Sequence, residues 1–296
     1  MDRVRTSLVM VVTLSTLFAS GCGDGILSGA GPADELTTDV GETLRDEVES
    51  GLNALTLGSS LDPVGTAPAP AAASLVSAPC VTPSTPADND GDGIPDDATY
   101  LFTAPPCEFT GWRGGTLDIV GSLRIQDPTP TNAGFGYDAT LTGLRSRFTS
   151  GDGKLIYDVT RNGTRTMGGS VSGLLLTADL QLIRTFAGHP DAAIDKQWSL
   201  NFTPSTSLQI NAPLPSGTLD IAGTVDWTRG DEHLALTIST PRETPLQYDA
   251  SCTTTVQRIR AGVLTAAGTF GDMSGIVRVS WRECGTEPEF SFESTD

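Results

Sequence analysis

The sequence is poor in the residues on which most catalytic sites depend. Its 296 residues include only two histidines, and aromatic residues make up 6% of the chain. Lys and Arg total 18 against 36 Asp and Glu, which gives a formal net charge of −18. Nucleic acid and anionic lipid surfaces repel a chain this acidic, so we expect no nucleic-acid partner. Gly (33) and Pro (19) are abundant instead, which is typical of a β-rich protein with many turns.

The chain also lacks an apolar run long enough to span a bilayer. The run from Leu8 to Ala19 has 12 residues, fewer than the roughly 20 that a transmembrane helix needs. It follows Arg3 and Arg5, and this order of a basic start and a short apolar core predicts a signal peptide at residues 1–21.

The end of this segment, Ala19-Ser20-Gly21-Cys22, resembles a bacterial lipobox, although that family usually has Leu where Ala19 stands. The resemblance implies that Cys22 is acylated with diacylglycerol and palmitate, becomes the mature N-terminus and anchors the protein in a membrane. Gly23 rather than Asp after the cysteine resembles the sorting signal for the outer membrane. The alternative is an ordinary signal peptide that leaves Cys22 as a free or bridged thiol.

Residues 22–61 are predicted to be a lipid-anchored tether that contains one amphipathic helix, at about residues 38–56. Apolar residues recur there at spacings of four, four, four and three: Val40, Leu44, Val48, Leu52 and Leu55. Between them lie four acidic residues: Glu42, Asp46, Glu47 and Glu49. The apolar stripe needs a partner surface, which is either the β-rich remainder of the chain or a second copy of the helix.

Residues 62–99 form a Pro- and Ala-rich spacer that ends in an acidic loop. The loop has Asp at positions 1, 3, 5 and 9: Asp88, Asp90, Asp92 and Asp96. Gly93 at position 6 allows a sharp turn, and the carbonyl of Ile94 takes position 7. This spacing wraps oxygen atoms around calcium.

The acidic loop resembles a thrombospondin type 3 repeat or an EF-hand loop. The resemblance implies a calcium ion with a structural role. The loop differs from both families because it occurs once and because Thr99 stands at position 12, where a bidentate acid is usual. One strong ligand is therefore missing unless Asp97 replaces it. The alternative is an acidic turn that binds only water.

Four cysteines remain besides Cys22, which in an exported protein predicts two disulfides. Proximity in sequence favours Cys80–Cys107 and Cys252–Cys284, although the other connectivities stay open. No CxxC pair is present, so a zinc site is disfavoured.

Residues 100–296 alternate between apolar and polar positions in about ten strands, with turn residues between them. No helical pattern separates these strands, so we predict a mainly β fold built as a long antiparallel meander. So long a sheet curls or closes into a barrel-like domain with the N-terminal helix on its apolar face; the alternative is a two-layer β-sandwich. Trp198, Trp227 and Trp281 fall on apolar faces and are expected in the core.

No Gly-x-Ser-x-Gly elbow, Ser-x-x-Lys pair or phosphate-binding glycine loop is present. Asn162 to Thr166, Trp281 and Cys284-Gly285 resemble features of β-rich bacterial lipoproteins with no known activity. We therefore expect a non-enzymatic envelope lipoprotein that binds a macromolecule or has a structural role. A carrier of a hydrophobic or acyl-chain ligand on a curved sheet is the alternative, and a hydrolase assembled from distant residues comes third.

Overall fold

One helix and thirteen strands make up the described part of the chain. The computed structural model describes residues 32–55, 81–82, 87–110, 115–186, 189–252, 258–270 and 273–295. In chain order the elements are α1 (Pro32–Ala54), β1 (Val81–Thr82), β2 (Asp97–Thr110), β3 (Thr116–Gln126), β4 (Tyr137–Thr149), β5 (Leu155–Ser170), β6 (Gly173–Thr185), β7 (Ala192–Pro204), β8 (Gly217–Arg229), β9 (Glu232–Ser239), β10 (Leu246–Tyr248), β11 (Ile259–Phe270), β12 (Met273–Trp281) and β13 (Glu289–Ser294).

The strands form one sheet with meander topology. Its hydrogen-bonded order is β1 to β8 in sequence, followed by β10, β11, β12 and β13. Every pairing is antiparallel. This confirms the predicted mainly β fold and its long antiparallel meander, and one continuous sheet stands in place of the two layers of a sandwich.

β9 and β10 lie end to end between β8 and β11. β9 pairs with the C-terminal part of β8, and β10 pairs with its first residues. On their other side, both strands pair with β11. A register shift between Gln247 and Tyr248 interrupts the second of these ladders. Such irregularities increase the local twist and bend a sheet.

The sheet curves around α1. At the end of the helix, Tyr137 Oη of β4 donates a hydrogen bond to the carbonyl oxygen of Ala54 at 2.7 Å. Nearer its start, Gly41 lies directly against the ring of Phe290 of β13. A flat sheet would hold β4 and β13 roughly 40 Å apart, whereas Gly41 and Ala54 lie roughly 20 Å apart along the helix axis. Both strands can contact one helix only because the sheet is strongly curved, as the barrel-like prediction requires.

α1 begins six residues before its predicted start. Leu36 extends the apolar stripe by one turn, and it is buried with the five apolar residues that predicted the helix. Pro32 suits the first turn because its missing N–H would have no partner there, and Glu35 favours the N-terminal end of the helix dipole. The helix ends at Ala54, near the predicted end at residue 56.

Alternation along the strands puts the core on the concave face. In β6 every second residue from Leu174 to Leu182 is buried, whereas Leu175, Thr177, Asp179 and Gln181 are exposed. The three tryptophans Trp198, Trp227 and Trp281 are buried as predicted. Trp112 lies outside the described residues. Within the described ranges, no helix combines the length and the apolar character needed to cross a bilayer.

Candidate functional site

The predicted acidic loop closes just before β2. The N–H of Asp96 donates to the carbonyl oxygen of Ala87 at 3.0 Å, and β2 begins one residue later. Gly91 and Gly93 have φ angles of 76° and 87°. Few residues other than glycine adopt this left-handed conformation, which explains the two glycines and agrees with the sharp turn predicted at Gly93.

Three of the predicted ligands converge inside the loop. Asp88, Asp90 and Asp92 each bring a carboxylate oxygen to within 4.8 Å of the other two. Asp88 accepts hydrogen bonds from the N–H of Gly91 at 2.8 Å and of Gly93 at 2.9 Å. These bonds orient the first carboxylate without occupying all of its lone pairs.

Asp96 and Asp97 face different partners. Asp96 accepts hydrogen bonds from Asn89, including one from its N–H at 3.0 Å. Asp97 pairs with Arg124 through two bonds of 2.9 and 2.7 Å and is half exposed. Asp97, the first residue of β2, is thus paired with Arg124 and does not join the acidic cluster.

The loop is docked on two other segments of the β domain. Asp92 Oδ2 accepts a hydrogen bond from the N–H of Gly134, in the β3–β4 connection, at 3.0 Å. Asn211, in the β7–β8 connection, donates from Nδ2 to the carbonyl oxygen of Gly91 at 2.7 Å. Ile94 is fully buried beneath the loop. The carboxylates are therefore held by the tertiary structure and not by the loop alone.

A second cluster of charges lies between α1 and the concave face of the sheet. Glu47 of α1 contacts Arg161 of β5 at 2.9 Å and also pairs with Lys196 of β7. Arg165 of β5 donates a hydrogen bond to Ser50 at 2.7 Å. All of these side chains are buried. The polar face of this helix is therefore covered by cations that point inward from the sheet.

Further pairs of the same kind extend along the helix. Arg184 of β6 contacts Asp46 at 2.7 Å and Glu42 at 3.7 Å. Arg229, at the end of β8, pairs with Asp39. These pairs extend the attachment of α1 from β5 and β7 to β6 and β8.

Arg258, just before β11, pairs with Glu49 at 3.5 Å. The N–H of Arg258 also donates to Glu49 at 3.1 Å. This contact attaches the C-terminal half of α1 to the segment that leads into β11.

Burial and charge act against each other on these groups. Burial alone would raise the pKa of Glu47, but Lys196, Arg161 and Arg165 hold that pKa well below its usual range. Burial lowers the pKa of Lys196 to about 8, which is still above neutral pH. Glu47 and Lys196 are therefore both ionised at pH 7. At Glu49, burial outweighs the attraction of Arg258 and raises the pKa.

The inward-pointing cations could have been found in the sequence, because each stands at a position where the alternation of its strand predicts a buried apolar residue. Arg184 stands two residues after the buried Leu182, and Arg229 stands two residues after Trp227. Lys196 falls between Ile194 and Trp198, at the same parity. A cation at an inward position requires a buried anion, and the acids of the predicted helix were the candidates.

Three of the four cysteines predicted to form disulfides lie in the described residues. Cys252 and Cys284 form the predicted disulfide, with their Cα atoms 5.8 Å apart. Cys107 of β2 is buried and disulfide-bonded. Its predicted partner Cys80 lies outside the described residues, as does the proposed lipid-attachment residue Cys22.

Both histidines are exposed. His189 Nδ1 lies 3.1 Å from a carboxylate oxygen of Glu35, near the start of α1. This contact ties the β6–β7 connection to the helix.

A cleft of about 510 Å³ opens beside the N-terminal half of α1. Its walls combine charged and apolar side chains: Asp39, Glu42, Arg45, Lys154, Leu155, Ile156, Arg184, Phe186, His189, Glu287 and Phe290. A site with this lining suits an amphipathic molecule.

A shallower depression of about 430 Å³ lies on the convex face of β5 to β8. It is lined mainly by hydroxyl, amide and carboxylate side chains: Thr164, Thr166, Thr177, Asp179, Gln197 and Ser199. Comparison with protein-family models, with curated proteins and with solved structures finds no match to this chain.

Proposed function

We propose that the chain is a lipid-anchored cell-envelope lipoprotein whose β domain binds a polar macromolecule without catalysis. The observation that carries the proposal is the occupation of the concave face by α1. The helix fills that face through apolar contacts and through buried ion pairs such as Glu47–Arg161. The surface left for a partner is the convex face, whose depression at Thr166, Asp179 and Gln197 is polar.

The chemistry of the depression indicates the kind of partner. Hydroxyl and amide groups both donate and accept hydrogen bonds, and Asp179 adds an acceptor. None of the described residues that line the depression is a Lys or an Arg. An uncharged polar polymer such as an envelope glycan fits this lining better than a polyanion does.

The anchor supports the same function. The sequence pattern at Cys22 implies an acylated N-terminus, and α1 begins ten residues after it. The helix closest to the proposed anchor is thus also the one packed in the core. We expect Cys22→Ser to move the full-length protein from the membrane fraction to the soluble fraction. Retention of this variant in the membrane fraction would contradict a lipid anchor.

The glycan proposal is tested by co-sedimentation of the full-length protein with isolated envelope glycans. The variant Thr166→Ala/Gln197→Ala should lose binding, because both side chains line the depression and are exposed. The matched control is Thr140→Ala/Thr142→Ala, which changes exposed residues of β4 outside it. Equal binding by the two double variants would exclude the depression as the binding surface.

A carrier of an acyl-chain ligand remains the second candidate, and the cleft beside α1 favours it. Phe186, Phe290 and Ile156 offer apolar contacts there, and Lys154 offers a cation for an anionic head group. Native mass spectrometry of the protein purified from its own envelope should then show a bound acyl-chain-sized ligand.

A matched pair of variants tests where such a ligand binds. Ile156→Ser should reduce its occupancy, whereas Ile183→Ser, which changes a similarly exposed residue outside the cleft, should not. A spectrum of wild-type protein without such a ligand would exclude this candidate in favour of the first.

The proposal includes a calcium ion in the acidic loop, with a structural role. Three carboxylates in mutual reach and two left-handed glycines support it. The ion would stiffen the loop where it joins β2.

A further inference from the structure

The acidic loop by itself provides one oxygen ligand too few for calcium. Calcium takes six to eight oxygen ligands, and a bidentate acid at position 12 is replaced here by Thr99, which is exposed on β2. Asp97, the alternative within the loop, is paired with Arg124. The missing ligand therefore has to come from another part of the chain.

Asp127 lies beside the loop. It follows the last residue of β3, and its N–H donates to the carbonyl oxygens of Pro95 and Asp96, each at 3.1 Å. Seven residues later, the same β3–β4 connection donates a hydrogen bond from Gly134 to Asp92. The connection thus contacts the loop at Asp127 and again at Gly134.

The Asp127 carboxylate is buried with one oxygen left over. Asp127 is 7% exposed, and its Oδ1 accepts a hydrogen bond from the N–H of Thr129 at 2.7 Å. Its Oδ2 is inaccessible to solvent and has no hydrogen-bond partner among the described residues. Asp90 Oδ2, inside the cluster, is in the same state. A buried carboxylate oxygen without a partner is costly unless a cation or proton neutralises it.

The electrostatic surroundings match this geometry. Within the described ranges, no Lys, Arg or His forms an ion pair with Asp88, Asp90, Asp92 or Asp127. Four acids without a protein cation are what a divalent ion would compensate.

We propose that Asp127 supplies the missing ligand, so that one calcium ion bridges the acidic loop and the β3–β4 connection. The inference rests on the calcium loop proposed above and adds a ligand from outside it. Asp88, Asp90 and Asp92 already lie within 4.8 Å of one another. Asp127 stands outside that group and would turn its unpartnered Oδ2 toward the ion, with water completing the coordination. Calcium would then fasten the loop to the sheet instead of only stiffening the loop.

Isothermal titration of the chelator-treated full-length protein with calcium chloride tests the site. Wild-type protein should bind one ion. Asp127→Asn should weaken the affinity on the order of tenfold or more, because removing a charged ligand lowers calcium affinity. The matched control is Asp97→Asn. It also removes a carboxylate near the loop, but one that is paired with Arg124, so it should leave the calcium affinity unchanged.

Thermal unfolding separates a lost ligand from a damaged fold. Calcium should raise the melting temperature of wild-type protein, because it binds the folded state. Without calcium, Asp127→Asn should melt at or above the wild-type temperature, since it removes a buried carboxylate without a partner. With calcium, its melting temperature should rise less than that of the wild type.

Two outcomes would overturn the inference in distinguishable ways. If Asp90→Asn/Asp92→Asn abolishes binding and Asp127→Asn binds like the wild type, the loop binds calcium alone and the bridging ligand is refuted. If the wild type binds no calcium, the calcium loop itself is refuted as well.

Discussion

Glu47 on α1 and Lys196 on β7 form an ion pair in the interior of the protein, where their side chains are 4% and 2% exposed. Arg161 contacts the same carboxylate at 2.9 Å. A lone carboxylate would be too costly to bury at this position. The helix is therefore held in a position that both its apolar stripe and its charges define.

Removing this carboxylate should destabilise the protein strongly. Glu47→Gln leaves Lys196 and Arg161 buried without their anion, which costs about 3 to 5 kcal/mol when one partner of a buried pair is lost. Urea unfolding at pH 7 measures the change. The matched control is Glu293→Gln, which breaks an exposed pair with Arg278 and should cost less than about 1 kcal/mol. Equal losses in the two variants would contradict the buried pair.

The contribution of Glu47 should depend on pH. Its pKa in the folded protein lies below the ordinary value of 4.5, so its stabilisation is present above pH 4.5 and is lost as the pH falls below that value. The difference in unfolding free energy between wild type and Glu47→Gln should therefore shrink from pH 6 to pH 3.

Glu49 should show the opposite pH dependence, because its pKa is shifted in the opposite direction from that of Glu47. Burial raises its pKa, so its contribution is fully present below 4.5 and is lost as the pH rises through the folded value. The difference between wild type and Glu49→Gln should accordingly grow in favour of the wild type as the pH falls. A pH-independent difference for both variants would refute the assigned directions.

Gly41 should resist substitution although it lies within a helix. Alanine in place of glycine normally stabilises a helix interior by up to about 1 kcal/mol. A Cβ at Gly41, however, would lie 2.5 Å from Cδ1 of Phe290, and overpacking of this kind costs about 1 to 3 kcal/mol. We expect a net loss in thermal stability for Gly41→Ala in the wild type, and no such loss when the same substitution is made in a Phe290→Ala background. Higher stability of the single variant would show that Phe290 moves away freely.

The disulfide between Cys252 and Cys284 should contribute to stability. It closes a segment with a sequence separation of 32 residues and joins the β10–β11 connection to the β12–β13 turn. Restricting the unfolded chain over a loop of this size contributes about 2 to 4 kcal/mol. The double variant Cys252→Ala/Cys284→Ala should lower the unfolding free energy by that amount, measured by urea unfolding without reductant. An unchanged unfolding free energy would contradict a stabilising role for this disulfide.

Local patterns in the sequence predicted the elements and the loop. Alternation of period two identifies a strand wherever one face is buried, as in β6, and the spacing from Val40 to Leu55 identifies α1. Gly93 and the spacing of Asp88, Asp90 and Asp92 predicted the acidic turn. Each of these features depends only on residues close together in the chain.

The tertiary structure alone decided which distant groups meet. The pairing of Glu47 with Lys196 joins residues 149 positions apart, and it exists because the sheet curves enough to surround the helix. Asp127 lies beside the acidic loop because β2 and β3 pair antiparallel, with Asp97 opposite Gln126, which brings the start of one strand to the end of the next. Sequence spacing determines the local conformation, whereas strand register and curvature determine these contacts.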